Sequence, residues 1–197
     1  AAIVFINTLP ILIYPEPKHR EVSAAQTTPF NLQQIKNYLA YFVQSPLLAA
    51  WLAVLLSFKI ADGLAGPLLK PLMVDLGLSF SQIGLYVTML GACAALIGAG
   101  LAGYSLKLIR RATALVLYSV LKIFSLAAYT WLAFQYENQH SIQPWLIYLI
   151  NAFEDMTSSM LLVVMLTLVM QYSRKHLAGT DFTFQVALMA TVSGGLY

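Results

Sequence analysis

One cysteine, Cys93, is all this chain has, and it sits in an apolar run, so neither a disulfide framework nor a CxxC metal site is available. Charge is equally scarce. Only 10% of residues are Asp, Glu, Lys or Arg, against roughly a quarter in a typical soluble domain. No basic run is interleaved with aromatics, which argues against a nucleic-acid partner. No HExxH, GxSxG or clustered-histidine constellation appears, so an enzyme is not expected, nor a metal or other cofactor. The histidines, His19, His140 and His176, all fall in polar stretches. What is abundant is apolar sequence: 59% of residues are hydrophobic and the mean hydropathy is +0.74.

The apolar residues are gathered into runs long enough to cross a bilayer. Leu47–Val74 is about 28 residues and Gln82–Tyr104 about 23, and both exceed the roughly 20 that a membrane-spanning helix needs. Two more spans are expected over 112–134 and 144–171, and a further helix starts over 180–197 with Asp181 near its N-terminus. At the other end, Ala1–Tyr14 is apolar but short, and is expected to be the end of a truncated helix. Pro15–Pro29 reads as a polar loop. In Asn31–Gln44, Leu32, Ile35, Leu39 and Phe42 recur at helical spacing between polar residues, which fits an interfacial amphipathic helix or an ordinary linker. The expected organisation is therefore 1–14 as a helix end, 15–46 as a cytoplasmic loop with an amphipathic helix, and 47–197 as a transmembrane bundle. The fold class is all-α.

Basic residues give the orientation. Lys18, Arg20 and Lys36 precede the first span, Lys107, Arg110 and Arg111 separate the second from the third, and Arg174 and Lys175 follow the fourth. The links Asp75–Ser81 and Gln135–Gln143 contain no Lys or Arg. This alternation puts the three basic connections in the cytoplasm. Within the first tight link, Gly77 allows a sharp exit and Ser79 with Gln82 forms a capping-box pattern. In the second span Gly91, Ala95, Ala99 and Gly103 recur every four residues, with Gly98 and Gly100 beside them, a spacing of small residues that lets helix backbones approach closely.

Polar residues inside the spans are costly, so each needs a reason. Lys59, Asp62, Gly66 and Lys70 fall on one stripe of the first span, with Gly63, Pro67 and Pro71 nearby, and a kink or local unwinding is expected there. Tyr118, Lys122, Ser125 and Tyr129 make a stripe on the third span; Asn151, Glu154, Asp155 and Ser158 make one on the fourth. Two readings fit the six charges Lys59, Asp62, Lys70, Lys122, Glu154 and Asp155. They are structural ion pairs, with Lys70 snorkelling to the headgroups, or they include a proton-exchanging carboxylate and a lysine that attracts an anionic solute. The candidates for a substrate or proton pathway are Asp62, Lys122, Glu154, Asp155, Lys59, Asn151 and Tyr118.

The run FKIADGLAGPLLKPLMVDLGLSFSQIGLYVTMLG, continuing to GLAGYSLKLIRR, resembles the seventh and eighth spans of major facilitator superfamily permeases. Within that superfamily the likeness is to the AmpG-type muropeptide permeases and their relatives, the acetyl-CoA transporters and certain siderophore importers. NAFEDMTSSMLLVVMLTLVMQYSRKHLAGTDFTFQVALMATVSGG is similar to the group's tenth span, the following loop and the start of the eleventh, and Gly179–Gln185 resembles the siderophore-importing branch somewhat more than the muropeptide branch. Gly103, Arg110 and Arg111 stand where the superfamily's loop motif recurs, although the acid of that motif is absent.

The resemblance implies part of the C-terminal six-helix half of a major facilitator fold, partnered by a missing N-terminal half. It implies alternating access in the bacterial inner membrane, with a mid-sized anionic solute moved in a proton-coupled way. The different-class alternative is a non-transporting structural membrane subunit or assembly factor.

Overall fold

The computed structural model describes residues 40–42, 44–140, 142–175 and 177–195. The expectations for Ala1–Tyr14 and Pro15–Pro29, and most of that for Asn31–Gln44, lie outside the described residues. The chain divides into two compact units, Ala1–Val43 and Gln44–Tyr197. In the first, residues 40–42 are helical. The second is a helical bundle, with no strand among the described residues.

Among the described residues five helices make the bundle: α1 (Pro46–Asp75), α2 (Phe80–Ser105), α3 (Arg111–Glu137), α4 (Pro144–Tyr172) and α5 (Ala178–Gly194). The first four are long and apolar enough to cross a membrane. Their ends follow local chemistry. Pro46 and Pro144 open α1 and α4, where a missing N–H costs nothing. At the end of α1, Gly77 takes φ +88° while its N–H bonds Val74 and that of Leu78 bonds Met73. This pair of bonds satisfies the last carbonyls and folds buried Leu78 back onto buried Met73. Ser79 and Gln82 then cap α2 reciprocally, as their spacing predicts.

Of the kink or local unwinding expected in α1, the unwinding does not occur: the helix continues through Pro67 and Pro71. Each ring removes one backbone donor, whereas opening a turn would leave several polar groups unpaired in hydrocarbon, where each is expensive. The irregular turn lies on α2 instead, as a π-helical turn over Ile83–Val87. Thr88 donates its hydroxyl proton to the Ile83 carbonyl there, at 3.0 Å.

Helix α4 is the hub. Within its most apolar stretch 44% of the residues are buried, against 22–28% in the corresponding stretches of α1–α3, and it packs against all four other helices. Apolar side chains form two layers along the bundle. One gathers Trp51, Leu55, Tyr118, Leu161, Met165 and Leu168; the other gathers Met73, Leu78, Val87, Tyr129, Leu132 and Ile147. On every spanning helix the residues between the two layers lie near mid-length.

The α2–α4 contact runs through glycines, but not along the expected row. Gly91, Gly98 and Ala102 are buried, while Gly103 is exposed with open space beside it. A row spaced by four overshoots each helical turn by about 40°, so Gly103 has drifted by about 120° from Gly91. Steps of seven and eleven return to within about 20° of the starting direction. A Cβ on Gly91 would strike the Asp155 carboxylate, and one on Gly98 would strike the Met156 carbonyl and Ser159 hydroxyl. Gly98→Leu is therefore expected to destabilise the bundle by at least about 1–3 kcal/mol, the usual cost of overpacking. Gly100→Leu, with nothing within 4 Å of its new Cβ, leaves it unchanged. Thermal unfolding of the two variants in detergent micelles measures the difference.

A buried ion cluster at mid-bundle

Lys122 is the centre of the polar layer. It occupies the middle of α3, one of a buried row with Tyr118, Ser125 and Tyr129 that follows the expected stripe. Its ammonium group is bonded to Glu154 Oε1 and to Ser158 Oγ of α4, and lies 3.7 Å from Asp62 Oδ1 of α1. Ser158 in turn donates to Glu154 Oε1 at 2.8 Å. Lys59 completes the group by pairing with Asp62 Oδ2 at 3.1 Å. Three helices thus contribute to one network of alternating charge. Lys122 and Glu154 are each less than a tenth exposed, whereas the Asp62 side chain is about a third exposed.

A second network adjoins it. Asn151, buried on α4, accepts from the Tyr129 hydroxyl at 2.9 Å. Its amide nitrogen donates to Asp155 Oδ2 at 2.8 Å and to the Val87 carbonyl, at the end of the π-helical turn, at 3.3 Å. Ser159 reaches across to the Ala95 carbonyl at 2.8 Å. Between the networks is a cavity of about 270 Å³, lined by Lys59, Asp62, Asp155, Ser158, Ser159 and apolar neighbours. Lys59 also borders a second cavity of about 330 Å³, with Met189, Ser193 and Gly194 of α5 on its wall.

Of the candidates read from the sequence, Asp62, Lys122, Glu154, Asp155, Lys59 and Asn151 come together in this layer. Tyr118 does not. It is buried one turn nearer the basic loops, where its hydroxyl meets Ser105 on α2. A stripe eleven residues long covers about 16 Å along a helix, so its ends reach different layers. The α1 stripe also divides: Lys59 and Asp62 are half-buried, but Gly66 and Lys70 are exposed. Gly103 and Arg110 are exposed at the α2–α3 connection, and Arg111 donates to Gln171 at 2.6 Å, tying that connection to the end of α4. The connections carrying Arg111 and Arg174 thus share one end of the bundle, as the alternation of basic residues requires.

Another polar group was not legible in the sequence. Asp181, fully buried in the first turn of α5, takes a two-pronged ion pair from Arg174, at 2.8 Å from Nε and 2.7 Å from Nη2, and accepts the Arg174 backbone N–H as well. One turn further on, buried Gln185 accepts from the Trp51 indole at 2.8 Å and donates to Val169 and Ser173 of α4 and its C-cap. A carboxylate near a helix N-terminus is visible in the sequence, but its partner depends on how the α4–α5 connection folds. These bonds join α1, α4 and α5 at the basic end. Among the described residues no group of His, Cys, Asp or Glu has the geometry to hold a metal ion.

Four apolar spanning helices around a charged interior define a multi-pass membrane protein. No protein-family model matches the chain, and no solved structure matches its fold. Removing Lys122 would strand Glu154 with no cation in hydrocarbon, and breaking such a buried pair costs about 3–5 kcal/mol. Lys122→Met is expected to lower stability by that order. Lys122→Met combined with Glu154→Gln is expected to recover much of the loss in a double-mutant cycle on the detergent-solubilised protein.

Proposed function

We propose that the chain is part of a secondary transporter of the major facilitator superfamily, moving a mid-sized anionic solute by alternating access and coupled to protons. In this reading it contributes to the C-terminal six-helix half, the N-terminal half is its partner, and the membrane is the bacterial inner membrane. The observation that carries the reading is the ion cluster drawn from α1, α3 and α4, set at mid-depth beside a cavity that Lys59, Asp62 and Asp155 line. Transporters hold substrate and coupling ions near the bilayer midplane, where charge is otherwise excluded. Lys59 is the cation best placed to meet an anion, because it lines both cavities, whereas Lys122 lines neither and is held by Glu154 and Ser158. The resemblance of α1, α2 and α4 to AmpG-type permeases supplies the solute class: muropeptides, siderophores or acyl esters of coenzyme A.

One observation favours a structural subunit instead. Every buried side-chain nitrogen and oxygen among the described residues has a hydrogen-bond partner, as in a network that only holds helices together. Transport separates the two readings. Vesicles carrying the full permease are expected to take up labelled anhydromuropeptide or a ferric siderophore in an uncoupler-sensitive way. Asp62→Asn and Glu154→Gln are expected to lose that uptake while still inserting into the membrane. Absence of uptake of either solute favours the structural subunit.

A further inference from the structure

The charges at the cavity do not balance. Lys59, Asp62 and Asp155 line it, and the adjoining pair adds Lys122 and Glu154, so two lysines meet three carboxylates. Asp62 is paired with both lysines and Glu154 with Lys122, but Asp155 has no cation within ion-pairing distance among the described residues. Its one hydrogen bond comes from Asn151, a neutral donor that serves a carboxylate and a carboxylic acid equally well. The Asn151 amide is held in that orientation from two sides, since Tyr129 donates to its oxygen and Val87 accepts from its nitrogen. On α2 the position opposite is Gly91, so no side chain separates the carboxylate from the neighbouring backbone.

We propose that Asp155 is the proton-carrying group of the bundle, and that Glu154 and Asp62 are the permanent counter-ions of Lys122 and Lys59. The step is a simple proton addition: a carboxylate oxygen of Asp155 takes one proton from water in the cavity, forms the neutral acid, and later returns the proton to water. The titratable groups facing Asp155 are Glu154 on its own helix, Lys122 and Tyr129 on α3, and Lys59, Asp62 and Lys70 on α1. On α2, Gly91 meets the Asp155 carboxylate and Ala95 lines the cavity, and the acid of α5, Asp181, is held by Arg174 at the basic end.

Lys70 is exposed and outside ion-pairing distance, so protonation brings the five charges of the cluster itself to neutrality, which a low-dielectric interior favours. It also gives the coupling a physical cause. An anion approaching Lys59 is repelled by ionised Asp155 across the same cavity, and the repulsion vanishes once Asp155 is neutral. Proton and anion therefore bind together. This use of the proton rests on the transporter reading; the surplus carboxylate itself does not.

Infrared difference spectroscopy of the full protein in lipid vesicles, titrated with acid and base in the absence of solute, tests the assignment. The carbonyl band of a protonated carboxylic acid is expected to appear and disappear over the titration. It is expected to vanish in Asp155→Asn, a near-isosteric change that keeps an oxygen for Asn151, and to persist in Asp62→Asn. No such band in the wild type, or a band unchanged in Asp155→Asn, overturns the proposal. So does a band whose midpoint follows sodium concentration, which would make the occupant a metal cation. Because no solute is needed, a titrating Asp155 band without solute uptake would overturn the transport reading alone.

Discussion

The structure depends on one constraint: a charge in hydrocarbon has no water to turn to and must find its partner in the protein. Lys122 is the clearest case. It sits mid-way along α3, and its ammonium group is served by Glu154 and Ser158 of α4 and faced by Asp62 of α1. A lysine so placed requires α1, α3 and α4 to meet at that depth and in that rotation, because any other arrangement strands a charge. Apolar packing alone is less selective, since lipid is as apolar as leucine and gives helices little reason to prefer one another. The two apolar layers above and below the cluster fill space, and the ion pairs fix the register.

Close approach completes the arrangement. The α2–α4 seam is short of side chains at Gly91 and Gly98, which lets Asp155, Met156 and Ser159 press against the α2 backbone. The π-helical turn at Ile83–Val87 adds to this, because the carbonyl of its last residue receives the Asn151 amide. A hydrogen bond between α2 and α4 thus joins the same network that holds the Asp155 carboxylate. The irregular backbone, the glycine contact and the surplus carboxylate meet at one point, in the place where a change of charge would be felt by two helices at once.

Much of the bundle is legible from the chain alone because its signals are local. Run length over a hydrocarbon thickness sets the spans, and the observed helices extend the expected ones by no more than three residues at any end among α1–α4. The Gly77 exit and the Ser79–Gln82 cap are short-range motifs with one dominant geometry, and both form as their spacing predicts. The small-residue row on α2 was half legible: its composition points to close packing and includes Gly98, but a spacing of four drifts around the helix and ends on exposed Gly103 where buried Ala102 makes the contact. The unwinding expected of α1 fails for a different reason, since the bilayer raises the cost of free backbone groups above the strain of two prolines.

The sequence by itself determined that this is an all-helical chain with membrane-length spans, that its basic connections gather at one end, and which polar residues share a stripe. These follow from hydropathy, charge and the 3.6-residue period, all of which act within a single helix. Only the tertiary structure decided which stripes meet. It joined Lys122 to Glu154, sent Tyr118 to Ser105, bound Asp181 to Arg174, and left Lys70 at the surface. It also left Asp155, of the three carboxylates in the central cluster, without a cation in ion-pairing distance among the described residues, an outcome set by the relative depth and rotation of α1, α3 and α4. No periodicity within one helix encodes that, because the partner of a buried charge is supplied by another helix.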